Sequence, residues 1–97
     1  MRVIAISTLR EFWEQYPQAE TPLRSWFADA CRADWKTPAE IKDAHRNASF
    51  VGSNRVVFNI KGNDFRLVVA VHYKRRMMYV RFVGTHAEYD KIDVERV

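Results

Sequence analysis

Arg66 stands inside an apolar run, Phe65-Arg66-Leu67-Val68-Val69-Ala70-Val71, and further along the chain His86 and Tyr89 follow at i, i+3 with Lys91 close behind. A charged side chain in mid-strand is unusual unless the face it occupies is open. Residues at i and i+3 are neighbours on a helical turn. These residue types together suit metal-free cleavage of an RNA phosphodiester. That reaction takes a proton from the 2′-hydroxyl, stabilises a charged phosphorane and protonates the departing 5′ oxygen. An arginine can hold the phosphorane, and a histidine, whose ordinary pKa is ~6.5, can give or take a proton at cellular pH. Which of His86, Tyr89 and Lys91 would be acid or base stays open. Asn59, Lys61 and Arg81, placed by alternation near Arg66, together with Asn63 in the intervening turn and Lys91, are expected to contact the RNA, with Lys61 and Arg81 as ancillary phosphate contacts.

Three consecutive strands must position these groups. Arg55–Ile60 alternates, with Val56, Phe58 and Ile60 on one face and Arg55, Val57 and Asn59 on the other. A period of two marks a half-buried strand. Lys61-Gly62-Asn63-Asp64 is turn chemistry, since Gly and Asn tolerate positive φ. Phe65–His72 sets Arg66 opposite Phe65, Leu67, Val69 and Val71. Lys74-Arg75-Arg76 is a charged turn, and Met77–Thr85 is the third strand, with Arg81 expected to alternate with Tyr79 and Thr85. Thr85-His86-Ala87-Glu88 is a capping-box pattern that starts a terminal helical turn through Tyr89. Singly, Arg55, Arg75 and Arg76 read as solvated surface charge.

The front of the chain supplies the support. Val3–Ile6 reads as a short opening strand. Thr8 and Glu11 form a capping-box pattern before the stripe Leu9, Phe12, Trp13 and Tyr16, and Thr21-Pro22 opens a second helix with the stripe Leu23, Trp26, Phe27, Ala30 and Cys31. Such stripes are core faces in any fold. Cys31 at this spacing is expected to be buried. Thr37-Pro38-Ala39-Glu40 starts a short third helix to about His45. Asn47–Asn54 reads as a loop with one or two strand residues. The order β-α-α-(α)-β-β-β-α predicts an α+β domain over residues 1–97, with helices packed on one face of an antiparallel sheet.

Composition narrows the classes. Of 97 residues, 47% are hydrophobic and 29% charged, which suits a packed chain and not a disordered one. Residues 1–48 hold seven Lys/Arg and seven Asp/Glu, whereas residues 49–97 hold nine against five and carry the whole net charge of +4. A basic half suits an anionic partner such as nucleic acid or an acidic protein. His45, His72 and His86 have no metal-ligand spacing, so neither metal nor cofactor is expected. No serine sits in a nucleophile-elbow context, and Gly62 alone makes no phosphate-binding loop. One cysteine excludes an internal disulfide, and the longest apolar run is too short to span a bilayer. Without the apolar core of a signal peptide, the expected location is cytoplasmic.

The segments VVFNIKGNDFRLVVAV and YVRFVGTHAEYDKID resemble the HigB-type toxins of bacterial type II toxin–antitoxin systems. The pattern is Phe58-Asn59, Gly62-Asn63, Phe65-Arg66-Leu67, then Thr85-His86, Glu88-Tyr89-Asp90, with fainter similarity at Tyr16-Pro17-Gln18 and Lys36-Thr37-Pro38. The resemblance implies the RelE/ParE superfamily, a compact α+β fold with a curved antiparallel sheet that carries the active site. It implies a metal-independent endoribonuclease acting on mRNA at translating ribosomes, neutralised in a hetero-oligomer with a HigA-like antitoxin. Arg66 matches the arginine that contacts the scissile phosphate in such proteins, and His86 and Tyr89 fall where proton transfer and base stacking are supplied. Members of the ParE branch act on gyrase and cleave no RNA. Two alternatives therefore stand beside the nuclease: a non-catalytic gyrase inhibitor and a plain nucleic-acid-binding module.

Overall fold

The three central strands form where the alternation puts them. The computed structural model describes all 97 residues. Its elements are β1 (Arg2–Ile4), α1 (Ile6–Gln15), a 3-10 turn (Pro17–Ala19), α2 (Glu20–Arg32), α3 (Pro38–Ala44), β2 (Ser49–Val51), β3 (Arg55–Ile60), β4 (Phe65–His72), β5 (Met77–Thr85) and α4 (His86–Tyr89). The sheet order is β1-β5-β4-β3-β2. β2 through β5 are antiparallel, and β1 joins the edge of β5 in parallel, pairing Arg2 with Met77 and Ile4 with Tyr79. The α+β class is as expected. The sheet is mixed because the opening strand lies far from β5 in sequence, so nothing local dictates its direction.

One face of the sheet closes over the helices. Val56, Phe58, Ile60, Phe65, Leu67, Val69, Val71 and Met78 pack in one core with Leu9, Phe12 and Trp13 of α1, Leu23, Trp26 and Ala30 of α2, and Ile41 of α3. Rings interlock across this layer, Phe12 edge-on to Phe65 with centroids 5.3 Å apart and Trp26 edge-on to Phe58 at the same distance. Such pairs add directional packing to area burial.

Several local expectations shift. α1 begins at Ile6, so Thr8 lies within the helix and Ala5 takes the cap position without a side-chain bond. The 3-10 turn runs directly into α2 from Glu20, which leaves Thr21 already helical. Thr37 does cap α3, accepting from the Glu40 amide at 3.3 Å. Cys31 is exposed. It lies about 80° from Leu23 around the helix, at the margin of the apolar stripe, so the spacing alone did not bury it. Residues 49–51 pair fully with β3 as a short outer strand. Arg76, read as solvated charge, forms an ion pair with Asp34 and donates to the Tyr73 carbonyl at 2.7 Å.

Candidate RNA-binding face

Opposite the helices, Arg55, Val57 and Asn59 of β3 share a face with Arg66, Val68 and Ala70 of β4. Cross-strand pairing sets Arg66 between Asn59 and Gly84, so the arginine occupies a central rung with a neighbour on each side. Its guanidinium is held from below: Nη1 donates to the carbonyls of Asn63 and Phe65, each at 3.2 Å, and Nη2 donates to Asn63 Oδ1 at 3.4 Å. The β3–β4 turn supplies this tether. Lys61 (φ 52°) and Gly62 (φ 63°) both take left-handed conformations there, a cost for lysine that glycine does not bear.

α4 brings the next groups to Arg66. Thr85 and Glu88 complete a capping box: Thr85 Oγ1 accepts from the Glu88 amide at 3.2 Å, and Glu88 Oε1 accepts from the Thr85 amide at 2.8 Å. The His86 amide then donates to the Asp64 carbonyl at 3.2 Å, which pins the start of the helix to the turn that tethers Arg66. As a result the Tyr89 ring faces the arginine, with Cζ 5.9 Å from the ring centroid, within cation–π range. His86 Nδ1 lies 3.1 Å from Asp90 Oδ2, one turn on. With Nδ1 directed at a carboxylate, Nε2 is the nitrogen left to face a substrate. Gly84 has no room for a side chain: a Cβ there would lie 2.5 Å from Phe82 Cζ and 3.1 Å from Glu88 Oε1.

The sequence-predicted residues thus separate into groups. Arg66, Asn63 and Tyr89 come together, Asn59 is the rung partner of Arg66, and His86 stands on the same helical turn as Tyr89. Lys61 turns to Asp64, Nζ to Oδ2 at 3.2 Å, and with Asn59 it borders a groove of about 160 Å³ beside α2 that also includes Asp29 and His45. Lys91 is exposed beyond α4. Arg81 departs from its expected alternation. Val68 pairs with Phe82 and Val69 with Val80, so a bulge at Arg81 breaks the period, and Thr85 pairs with Phe65 of the core-facing series. Bulges re-aim side chains in this way. Arg81 Nε donates to the main-chain oxygen of Val97 at 3.1 Å, and Arg55 Nη2 donates to the same oxygen at 2.7 Å. Residues beyond α4 therefore reach across this face, and Val57 and Val68 on it are buried.

Two further features lie away from Arg66. The largest cleft, about 580 Å³, runs between α1 and β5 and is bordered by Thr8, Glu11, Glu14 and Phe82. Its carboxylates do not suit an RNA phosphate. His45 packs edge-on against Phe58 and Trp35, and its burial lowers the imidazole pKa against a smaller opposing pull from Asp29. No group of three or more His, Cys, Asp or Glu side chains is placed to hold a metal ion, and no helix is long and apolar enough to cross a membrane.

The model of a family described as HigB_toxin, the RelE-like toxic component of a toxin–antitoxin system, matches residues 19–92. The mRNA interferase toxin HigB of Escherichia coli strain K12 is 31% identical over 93 residues, covering 93% of this chain and 88% of its own. The mRNA interferase HigB of E. coli O6:H1 is 28% identical over 94 residues, covering 95% and 91%. That of Shigella flexneri is 31% identical over 93 residues, with 93% and 88% covered.

Proposed function

Since the chain belongs to the HigB family of RelE-like toxins, we propose that it cleaves mRNA on translating ribosomes by acid–base chemistry through the 2′-hydroxyl. The observation that carries this reading is a tethered arginine facing an aromatic ring, with a histidine on the same helical turn as that ring and its amide bonded to the β3–β4 turn. Arg66 stabilises the charge that develops on the scissile phosphate, and its tether to Asn63 fixes the guanidinium before the substrate arrives. Tyr89 stacks on a base or orients the strand. His86 exchanges the proton, with Asp90 holding Nδ1 so that Nε2 meets the substrate. The 2′ oxygen loses its proton, attacks phosphorus and displaces the 5′ oxygen, which leaves protonated. Asn59, Asn63, Lys61, Arg81 and Lys91 supply further contacts to the RNA. The partner that silences this activity is a HigA-like antitoxin in a hetero-oligomer, and the setting is the cytoplasm.

The test is primer extension on a reporter mRNA after brief induction of the wild type and Arg66→Ala. New 5′ ends confined to the translated region, absent in the variant, are expected. Growth arrest without new ends, accompanied by a halt in DNA replication, would replace the nuclease with a gyrase-type inhibitor. Steeply salt-dependent RNA binding without turnover would leave only a binding module.

A further inference from the structure

β1 pairs with β5 only from Met77 to Tyr79, so the rest of that strand, through Thr85, has no strand on its outer side. The register shows which main-chain groups are left open there. The His86 amide donates to the Asp64 carbonyl at 3.2 Å, which makes Asp64–His86 a hydrogen-bonded rung, and Arg66–Gly84 and Val68–Phe82 follow it in step. Val83 and Thr85 occupy the alternate rungs, with their amides and carbonyls turned away from β4. The Thr85 amide does point outward, donating to Glu88 Oε1 at 2.8 Å. Val83 N–H and C=O are therefore the open pair of this edge, between the end of β1 and the capping box. Such an edge is a template for a further strand. The cleft of about 580 Å³ between α1 and β5 lies along it, lined by Phe12, Phe82 and Val83. Glu11 and Glu14, also in its lining, are exposed and form no ion pair.

We infer that the antitoxin docks here, through an extended segment that adds to β5 at Val83 and carries a basic residue between two apolar ones. This rests on the toxin reading, which supplies the antitoxin as the partner. Carboxylates repel phosphate, so the occupant of this cleft is protein and not RNA. An added strand bonds to Val83 N–H and C=O through its own main chain, and the cleft then selects its side chains. Directly paired residues point to one face. The residue opposite Val83 therefore projects with it toward the α1 side, where Glu11 and Glu14 favour Lys or Arg. Its neighbours project with Phe82 and are apolar. Two residues further along, the same strand reaches the Thr85 amide, which Glu88 holds. A strand carbonyl competes with Glu88 Oε1 there, and loss of the capping box loosens α4 with Tyr89 and His86. The antitoxin thus silences the toxin from the sheet edge and leaves the Arg66 face uncovered.

The probe is the purified cognate antitoxin, titrated into the full chain. Reversing both carboxylates, Glu11→Lys with Glu14→Lys, should weaken its affinity by about 100-fold, since like charges then face each other across the cleft. Without antitoxin, mRNA cleavage by this double variant should match the wild type. Val83→Pro removes the outward N–H and no rung to β4, a position where an edge strand tolerates proline, and should weaken binding by about tenfold. Should Val83→Pro fail to fold, amide hydrogen exchange on the wild-type complex reads the same contact. The Val83 amide should gain protection on binding, while the Glu88 and Asp90 amides of α4 exchange faster. Undiminished affinity in the charge-reversed variant, or an unprotected Val83 amide in the complex, would overturn the docking site. Unchanged exchange in α4 would overturn the silencing route. A chain that sediments as a dimer alone, and as a monomer once both carboxylates are reversed, would put a second copy in the antitoxin's place and overturn the proposal. The two readings fail separately. Arg66-dependent cleavage with antitoxin binding indifferent to Glu11 and Glu14 sinks only this site, whereas binding that depends on them without any cleavage sinks only the nuclease.

Discussion

Arg66 and Leu67 are adjacent in sequence and belong to opposite faces of one strand, and the two faces obey different rules. Leu67 is fully buried in a layer whose buried side chains are all apolar and pack with the helices. Arg66 is only partly covered; its guanidinium donates two hydrogen bonds to Asn63 and one to the Phe65 carbonyl, and it faces the ring of Tyr89. The helix-covered face holds the fold together by burial, which is non-directional. The opposite face spends its polar groups on geometry: a tether for Arg66, a capping box for α4, a bulge for Arg81. On the reading proposed above, stability and function lie on opposite sides of the same strands, and substitution should perturb them one at a time.

The sharpest contrast comes from substituting the two neighbours. Leu67→Ala should destabilise the fold by about 2–5 kcal/mol through lost burial and a residual cavity, measured as a drop in urea midpoint. Cleavage per folded molecule should survive. Arg66→Ala should do the reverse, with a loss of roughly 10²–10³ in cleavage rate and a nearly unchanged urea midpoint. A large stability loss in Arg66→Ala would break the division between the faces.

Gly84 tests whether the open face depends on close packing of its own. Gly84→Ala drives a methyl group against Phe82 and the Glu88 carboxylate of the capping box, an overpacking cost of about 1–3 kcal/mol. Cleavage should fall along with stability, since α4 carries Tyr89 and His86. Adding Phe82→Leu should restore part of both. No recovery in the double variant would place the cost in the backbone and not in the ring.

The smallest effect belongs to the covered face. Burial among Phe58 and Trp35 lowers the His45 pKa below its ordinary 6.5. In the unfolded chain the imidazole takes up its proton near that ordinary value, while in the folded chain it resists until lower pH. Stability from this residue is therefore complete above about pH 6.5 and declines as pH falls toward the folded pKa. Urea midpoints measured from pH 7.5 to 5 should show the decline in the wild type and a flatter profile in His45→Phe. Identical profiles would show that His45 is not shielded by its aromatic neighbours.

Much of this was legible in advance where the signal is local. The bounds of β3, β4 and β5 follow from alternation and turn residues, and the caps at Thr37 and Thr85 follow from side chains three residues apart. Thr8, with Glu11 three residues on, and Thr21, with Pro22 after it, carry start signals too without forming the cap, because Ile6 and the 3-10 turn had already started each helix. A capping motif states that a start is possible, and the chain before it settles whether one is needed. The pairing of Arg66 with Asn59 could be anticipated from a short hairpin, whereas the contact of Arg55 Nη2 with Val97 could not, since the two residues are 42 apart in the chain.

What the sequence determined by itself is whatever a few neighbouring residues can enforce: the strand period that separates Arg66 from Leu67, the turn that tethers Arg66, and the helical start that sets His86 and Tyr89 together. The tertiary structure alone decided the parallel docking of β1, the bulge that re-aims Arg81, the exposure of Cys31 and the passage of residues 93–97 over the sheet. Each of these depends on groups that meet only after the sheet has closed, and hydrogen-bond geometry and burial act on distance in space with no regard for distance along the chain.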